Sequence, residues 1–189
     1  MTATLAFPGL DGSSTDAFID AVAPLFEGAP RFLDRLASAR PFGSAAELFA
    51  RARLIAQAMP EAEQLELIDA HPRLGAPAGS VSALSFVEQG YDRSDADAAA
   101  EAERARLGQE LARLGQELAR LNAAYERRFG FRYCVFVAGR SRAALVLEIS
   151  TALESERASE IDRALDAVVD IAADRYATLT AMSPEGATR

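Results

Sequence analysis

The sequence predicts an all-α protein: a single-domain helical bundle of about seven to nine helices with one central extended segment. Three observations carry this. Apolar residues recur three and four apart along most of the chain, the period of a helix buried on one face. Residues suited to starting or stopping helices stand at the ends of these runs. Only Phe129–Val137 reads as a strand, and no second stretch is evident to pair with it.

Residues 1–14 end in Pro8-Gly9-Leu10-Asp11-Gly12-Ser13-Ser14 and read as an irregular lead-in. Ser14 or Thr15 suits the cap of a first helix over Asp16–Leu25. Phe32, Leu33 and Leu36 form a second amphipathic segment that ends near Arg40-Pro41. Ser44-Ala45-Ala46-Glu47 has the capping-box spacing and opens a third helix to about Met59. Pro60 suits the first turn of the next, where Leu65, Leu67 and Ile68 lead to His71. A residue before proline is pushed out of the helical region, so Pro72 stops this helix at His71.

Pro72, Gly75, Pro77 and Gly79 make 72–81 a loop, and a short helix follows over about Ser82–Gly90. From Ser94 to Arg128 the chain reads as one long helix containing a perfect duplication, Arg106–Ala112 repeated as Arg113–Ala119. Leu107, Leu111, Leu114, Leu118 and Leu121 alternate four and three apart, as a coiled-coil seam does. The run suits a face packed on its own domain and is too short to assert a partner helix. Phe129–Val137 is the extended segment. Ser141 caps a helix to about Leu153. The last helix, about Arg157–Met182, puts Ile161, Leu165, Val168, Ala172, Tyr176 and Leu179 on one face, and 183–189 is read as a flexible tail.

The 189 residues suffice for one domain with a substantial core. A net charge of −8 argues against nucleic acid and against attraction to anionic membranes. All 20 basic residues are arginine, which excludes Schiff-base chemistry by lysine. Cys134 is the only cysteine, so no intrachain disulfide can form, which suits a reducing compartment. Neither a signal segment nor a bilayer-spanning run is visible, and cytoplasm is the expectation. One histidine, one cysteine and scattered acids make no metal site.

Three segments carry possible chemistry. His71 is the only histidine, so imidazole chemistry can occur at one place alone. A histidine at a helix end is more often a polar terminus residue than a catalyst; there the helix dipole would favour its protonated form. Ser85, Glu88 and Gln89 share one side of a helix and suit either a small ligand or a solvated face. The third is Phe129–Arg140, an unpaired extended run whose backbone groups need partners, which a polar heterocycle or ureide could supply.

Taken in order, His71-Pro72, Ser85-x-x-Glu88-Gln89, Leu121-Asn122-x-x-Tyr125, Phe129-Gly130-Phe131 and the Glu160…Ile171…Arg175 pattern resemble the 2-oxo-4-hydroxy-4-carboxy-5-ureidoimidazoline (OHCU) decarboxylase family of urate breakdown. The resemblance covers about residues 10 to 180. It implies that His71 is the catalytic acid/base. It places Pro72, the stretch Ser85, Phe86, Val87, Glu88 and Gln89, and the stretch Tyr133, Cys134, Val135, Phe136 and Val137 around the substrate, the last through backbone groups. It implies that Arg175 holds an anionic or ureido group through its planar fork. No cofactor is implied, because the substrate's own carbon–nitrogen double bond accepts the electron pair. The implied product is S-allantoin, the implied partner a small molecule, and a homodimer is the family's common form. The chain departs from the family at Arg132, often proline, and at Ala152, often arginine, and its helix before Asn122 is longer than usual. A lyase or hydrolase acting on another ureide, and a non-catalytic helical interaction protein, are the competing readings.

Overall fold

A computed structural model describes residue 7 and residues 9–75 and 101–182. Among these residues there are eight α-helices, one 3-10 turn and no strand. They are α1 (Gly9–Gly12), α2 (Thr15–Val22), the 3-10 turn Ala23–Phe26, α3 (Pro30–Ser38), α4 (Ala45–Ala58), α5 (Glu61–Ala70), α6 (Glu101–Phe129), α7 (Arg142–Ala152) and α8 (Arg157–Met182). The chain divides into two compact units. One comprises the residues up to His71 and those from Ile161 onward; the other runs from Pro72 to Glu160. None of the described helices is long and apolar enough to cross a membrane.

In the first unit, Ser14 is the N-cap of α2, its hydroxyl accepting from the Ala17 amide at 3.2 Å. The expected helix over Asp16–Leu25 is broken at Val22, where the chain tightens into the 3-10 turn. Pro24 has no N–H to extend the α ladder, which accounts for the change. Phe18, Val22, Leu25 and Phe26 still face the core, and Phe26 meets Phe32 of α3 at 4.8 Å between ring centres. Ser44 caps α4 by accepting from the Glu47 amide at 3.2 Å. Arg53 of α4 reaches Asp166 and Asp170 of α8 at 2.6 and 2.7 Å, while Ile161, Leu165, Val168 and Ala172 bury that helix's apolar face.

The irregular lead-in requires correction: Gly9–Gly12 forms a helical turn. Leu10 is buried, and the Asp11 carboxylate accepts from the amides of Phe42 and Gly43, the latter at 2.7 Å. A partner about thirty residues away holds this turn, so nothing in its own Gly- and Pro-containing sequence announces it.

In the second unit, α6 ends at Gly130, whose φ of 83° is the left-handed conformation of a helix-stopping glycine; its amide donates to Glu126 at 2.9 Å. Phe129 is therefore the last helical residue, one residue inside the expected extended segment, and the non-helical stretch runs over 130–141. The leucine seam is used unevenly. Leu118 and Leu121 are buried, whereas Leu107 and Leu111 are 43% and 49% exposed. Tyr125 packs against Phe129, Phe131 and Tyr133 with ring centres 4.5, 5.5 and 5.0 Å away. Ser141 caps α7, which lies against α6 and buries Leu145, Ile149 and Ala152.

Candidate functional site

His71 ends α5 in an extended conformation, φ −74° and ψ 142°, as Pro72 requires. Its amide donates to Ile68 at 3.2 Å, and the residue is only 3% exposed. Nδ1 lies 3.3 Å from the Leu67 carbonyl oxygen. A carbonyl can only accept, so the neutral ring carries its proton on Nδ1 and its lone pair on Nε2.

Burial, followed by the nearby Arg175 cation, pushes the His71 imidazole down to about 4. Glu27 and the Leu67 carbonyl pull the other way and are outweighed. The ring is thus neutral, against the charged form expected at a helix end, because burial dominates. At neutral pH His71 is an uncharged base with one defined basic nitrogen.

This depressed value has a consequence for stability. Between about 4 and the ordinary 6.5 the unfolded chain binds a proton at His71 that the folded chain does not. Stability from this residue is full above the ordinary value and falls as pH drops through the window, by roughly 3 kcal/mol in total. Urea unfolding at pH 7 and pH 4.5 is expected to show most of this loss, and His71→Asn should remove it. An equal loss in both proteins would rule out His71 as its source.

Arg175 projects from α8 with its side chain 1% exposed. One terminal nitrogen donates to the carbonyls of Pro24 and Leu25 at 3.1 and 3.3 Å; the other meets Glu27 at 2.9 Å. Glu27 sits at φ 51°, a left-handed position unfavourable for a residue with a side chain, and its bond to Arg175 offsets part of that cost. The substrate-holding role that the resemblance implies for Arg175 therefore competes with partners from the chain itself.

In the second unit, Pro72 is half-buried and Tyr133, Cys134 and Val135 are buried, with Phe136 and Val137 partly so. Cys134 is a buried cysteine outside any disulfide. The Tyr125 hydroxyl donates to Glu160 at 2.8 Å in the buried interior. Asn122 donates to the Leu74 carbonyl at 2.9 Å, and Arg73 grips both oxygens of Glu126 at 2.5 and 2.6 Å. Arg73 holds the Glu126 carboxyl below the usual carboxylate range, partly opposed by desolvation.

The structure thus brings His71 and Arg175 into one unit and adds Glu27, which no sequence signal marked. Ser85, Phe86, Val87, Glu88 and Gln89 lie outside the described residues. Ala152 is buried at the end of α7 and offers no charge where the family often has arginine. Among the described residues no group of three or more His, Cys, Asp or Glu side chains could hold a metal.

The family model for OHCU decarboxylase matches residues 11–177. A 2-oxo-4-hydroxy-4-carboxy-5-ureidoimidazoline decarboxylase of Haloferax volcanii is 30% identical over 164 residues, 86% of this chain and 88% of that protein. The uric acid degradation bifunctional protein PucL of Bacillus subtilis is 31% identical over 170 residues; these span 90% of this chain but only 32% of that longer protein. A crystal structure of OHCU decarboxylase in the presence of (S)-allantoin superposes with a TM-score of 0.61 at 20% identity, covering 89% of this chain and 99% of that one. At that identity the likeness concerns the fold.

Proposed function

Because the chain belongs to the OHCU decarboxylase family, we propose that it is a cofactor-free carboxy-lyase converting OHCU to S-allantoin and CO2, with His71 moving the proton. The observation that carries this reading is the state of the one imidazole, buried and neutral with its lone pair on Nε2. It acts in the cytoplasm on a small-molecule ureide.

In the chemical step the bond between the ring carbon and its carboxylate breaks. The electron pair enters the adjacent carbon–nitrogen double bond, leaving an enol, and the ring nitrogen takes up a proton. The enol hydroxyl then loses its proton as the carbonyl forms, and the carbon bearing the ureido group gains one. A neutral His71 can accept the hydroxyl proton on Nε2 and return it to that carbon from one side, so a single enantiomer results. Keeping the ring uncharged at rest makes it a base first and an acid second.

Pro72, the Ser85–Gln89 stretch and the backbone of Tyr133–Val137 are assigned to orienting the ureidoimidazoline ring, with Glu88 and Gln89 bonding its polar edge. Arg175 remains with Glu27 in this reading and serves His71 as a fixed nearby cation.

The test couples urate, urate oxidase and hydroxyisourate hydrolase to this protein and follows the circular dichroism of allantoin. Rapid accumulation of the S enantiomer is expected. A slow racemic background unchanged by the protein would refute the assignment.

A further inference from the structure

We propose that α6 acts as a register bar for the chain leaving His71, with Asn122 and Glu126 as positioning residues for the proton transfer; this rests on the reading of His71 as the proton-moving group. Leu118, Asn122 and Glu126 are four residues apart and form one stripe along α6. Each meets one residue of the loop, in reverse order. Gly75 lies over Leu118, where a Cβ would stand 3.6 Å from the leucine side chain. The Leu74 carbonyl accepts from Asn122, and Arg73 engages Glu126 through both carboxylate oxygens. Three successive residues are thus read by three successive turns. Between the gripped segment and His71 stands only Pro72, whose ring removes one backbone rotation.

These contacts do more for position than for stability. Asn122 is 4% exposed, and its Oδ1 is buried without a hydrogen-bond partner. The Nδ2 group must face Leu74, because the opposite orientation would set two acceptors against each other there. Burying an unsatisfied carbonyl offsets most of what one neutral hydrogen bond contributes. Arg73 is largely exposed, and exposed ion pairs stabilise little, yet its two-point grip on Glu126 is strongly directional. A helix surface that contributes little net stability but fixes three consecutive residues fits the needs of proton transfer, where a displacement of about 1 Å costs on the order of 100-fold in rate.

The test uses Asn122→Leu, Asn122→Asp, Arg73→Glu, Glu126→Arg and the double exchange Arg73→Glu/Glu126→Arg. Each single variant is expected to lower kcat by about tenfold or more with KM within about twofold. The double exchange should recover most of kcat, because the pair is restored with its charges reversed. Wild-type kcat in Asn122→Leu, losses of kcat that merely follow losses of Tm, or no recovery in the double exchange would overturn the proposal.

A second readout needs no substrate. The chain contains one imidazole, so its NMR spectrum has one histidine Cε1–H signal. Asn122→Leu should displace that signal in the folded protein, and an unmoved signal overturns the clamp whatever the wild type's substrate proves to be. Failure of the wild type to make S-allantoin, with the signal displaced, would count against the decarboxylase reading and leave the clamp standing.

Discussion

Replacing His71 by asparagine is expected to lower turnover by about 100- to 10,000-fold and to abolish the excess of S-allantoin while the fold persists. Asparagine suits the test because its side-chain N–H can take the place of Nδ1–H toward the Leu67 carbonyl. What disappears is the second nitrogen, the only group at this position that can take up and return a proton. No other histidine exists to substitute. The measurement is the initial rate of the coupled dichroism assay, with far-UV dichroism and Tm confirming the fold. Wild-type rate and stereochemistry in a folded His71→Asn protein would remove the imidazole from the mechanism.

The largest expected effect on stability comes from Arg175→Met. The side chain volume is roughly retained, but the change leaves the Glu27 carboxylate, itself mostly buried, without its cation, and takes a donor from the carbonyls of Pro24 and Leu25. Removing one member of a buried pair costs about 3–5 kcal/mol, because the remaining charge stays desolvated. Adding Glu27→Gln to Arg175→Met should recover part of that loss, since the stranded charge disappears. Urea unfolding of the two single variants and the double measures this directly. A loss below about 1 kcal/mol in Arg175→Met would show that the guanidinium is not what holds the turn. The single variant also removes the Arg175 cation that acts with burial against the charged ring, which moves the imidazole upward while burial still holds it down.

Local sequence was enough to place most of the helices. Ser44 and Ser141 cap where a hydroxyl before a helical run indicates, α8 begins and ends at the expected residues, and α5 stops at His71 because proline follows. Each of these outcomes depends on groups within one turn of the residue concerned. The misses depend on distant groups or on the interruption of a regular pattern. The α1 turn exists because Asp11 receives amides from Phe42 and Gly43. The first long helix is split because Pro24 interrupts the α ladder inside an otherwise continuous apolar pattern. The leucine seam has perfect periodicity, yet periodicity does not say how far along a helix the packing continues, and Leu107 and Leu111 remain exposed.

At the candidate site the same division holds. His71 stood out as a chemical group and Arg175 entered only through the family resemblance, but Glu27 did not stand out at all, since an acid in a Glu-Gly turn resembles any surface turn. Asn122 appeared only as part of a motif; the bond it makes to Leu74 spans 48 residues.

For His71, the sequence by itself determined that there is one imidazole, that a helix delivers it, and that Pro72 ends the helix there. Those facts follow from composition and from the steric demand of a proline ring. Its charge was decided only in the tertiary structure. The local helix end favours a proton, but burial and the Arg175 cation outweigh it and hold the ring neutral. Desolvation depends on everything packed around a group, so no reading of its neighbours along the chain can supply it.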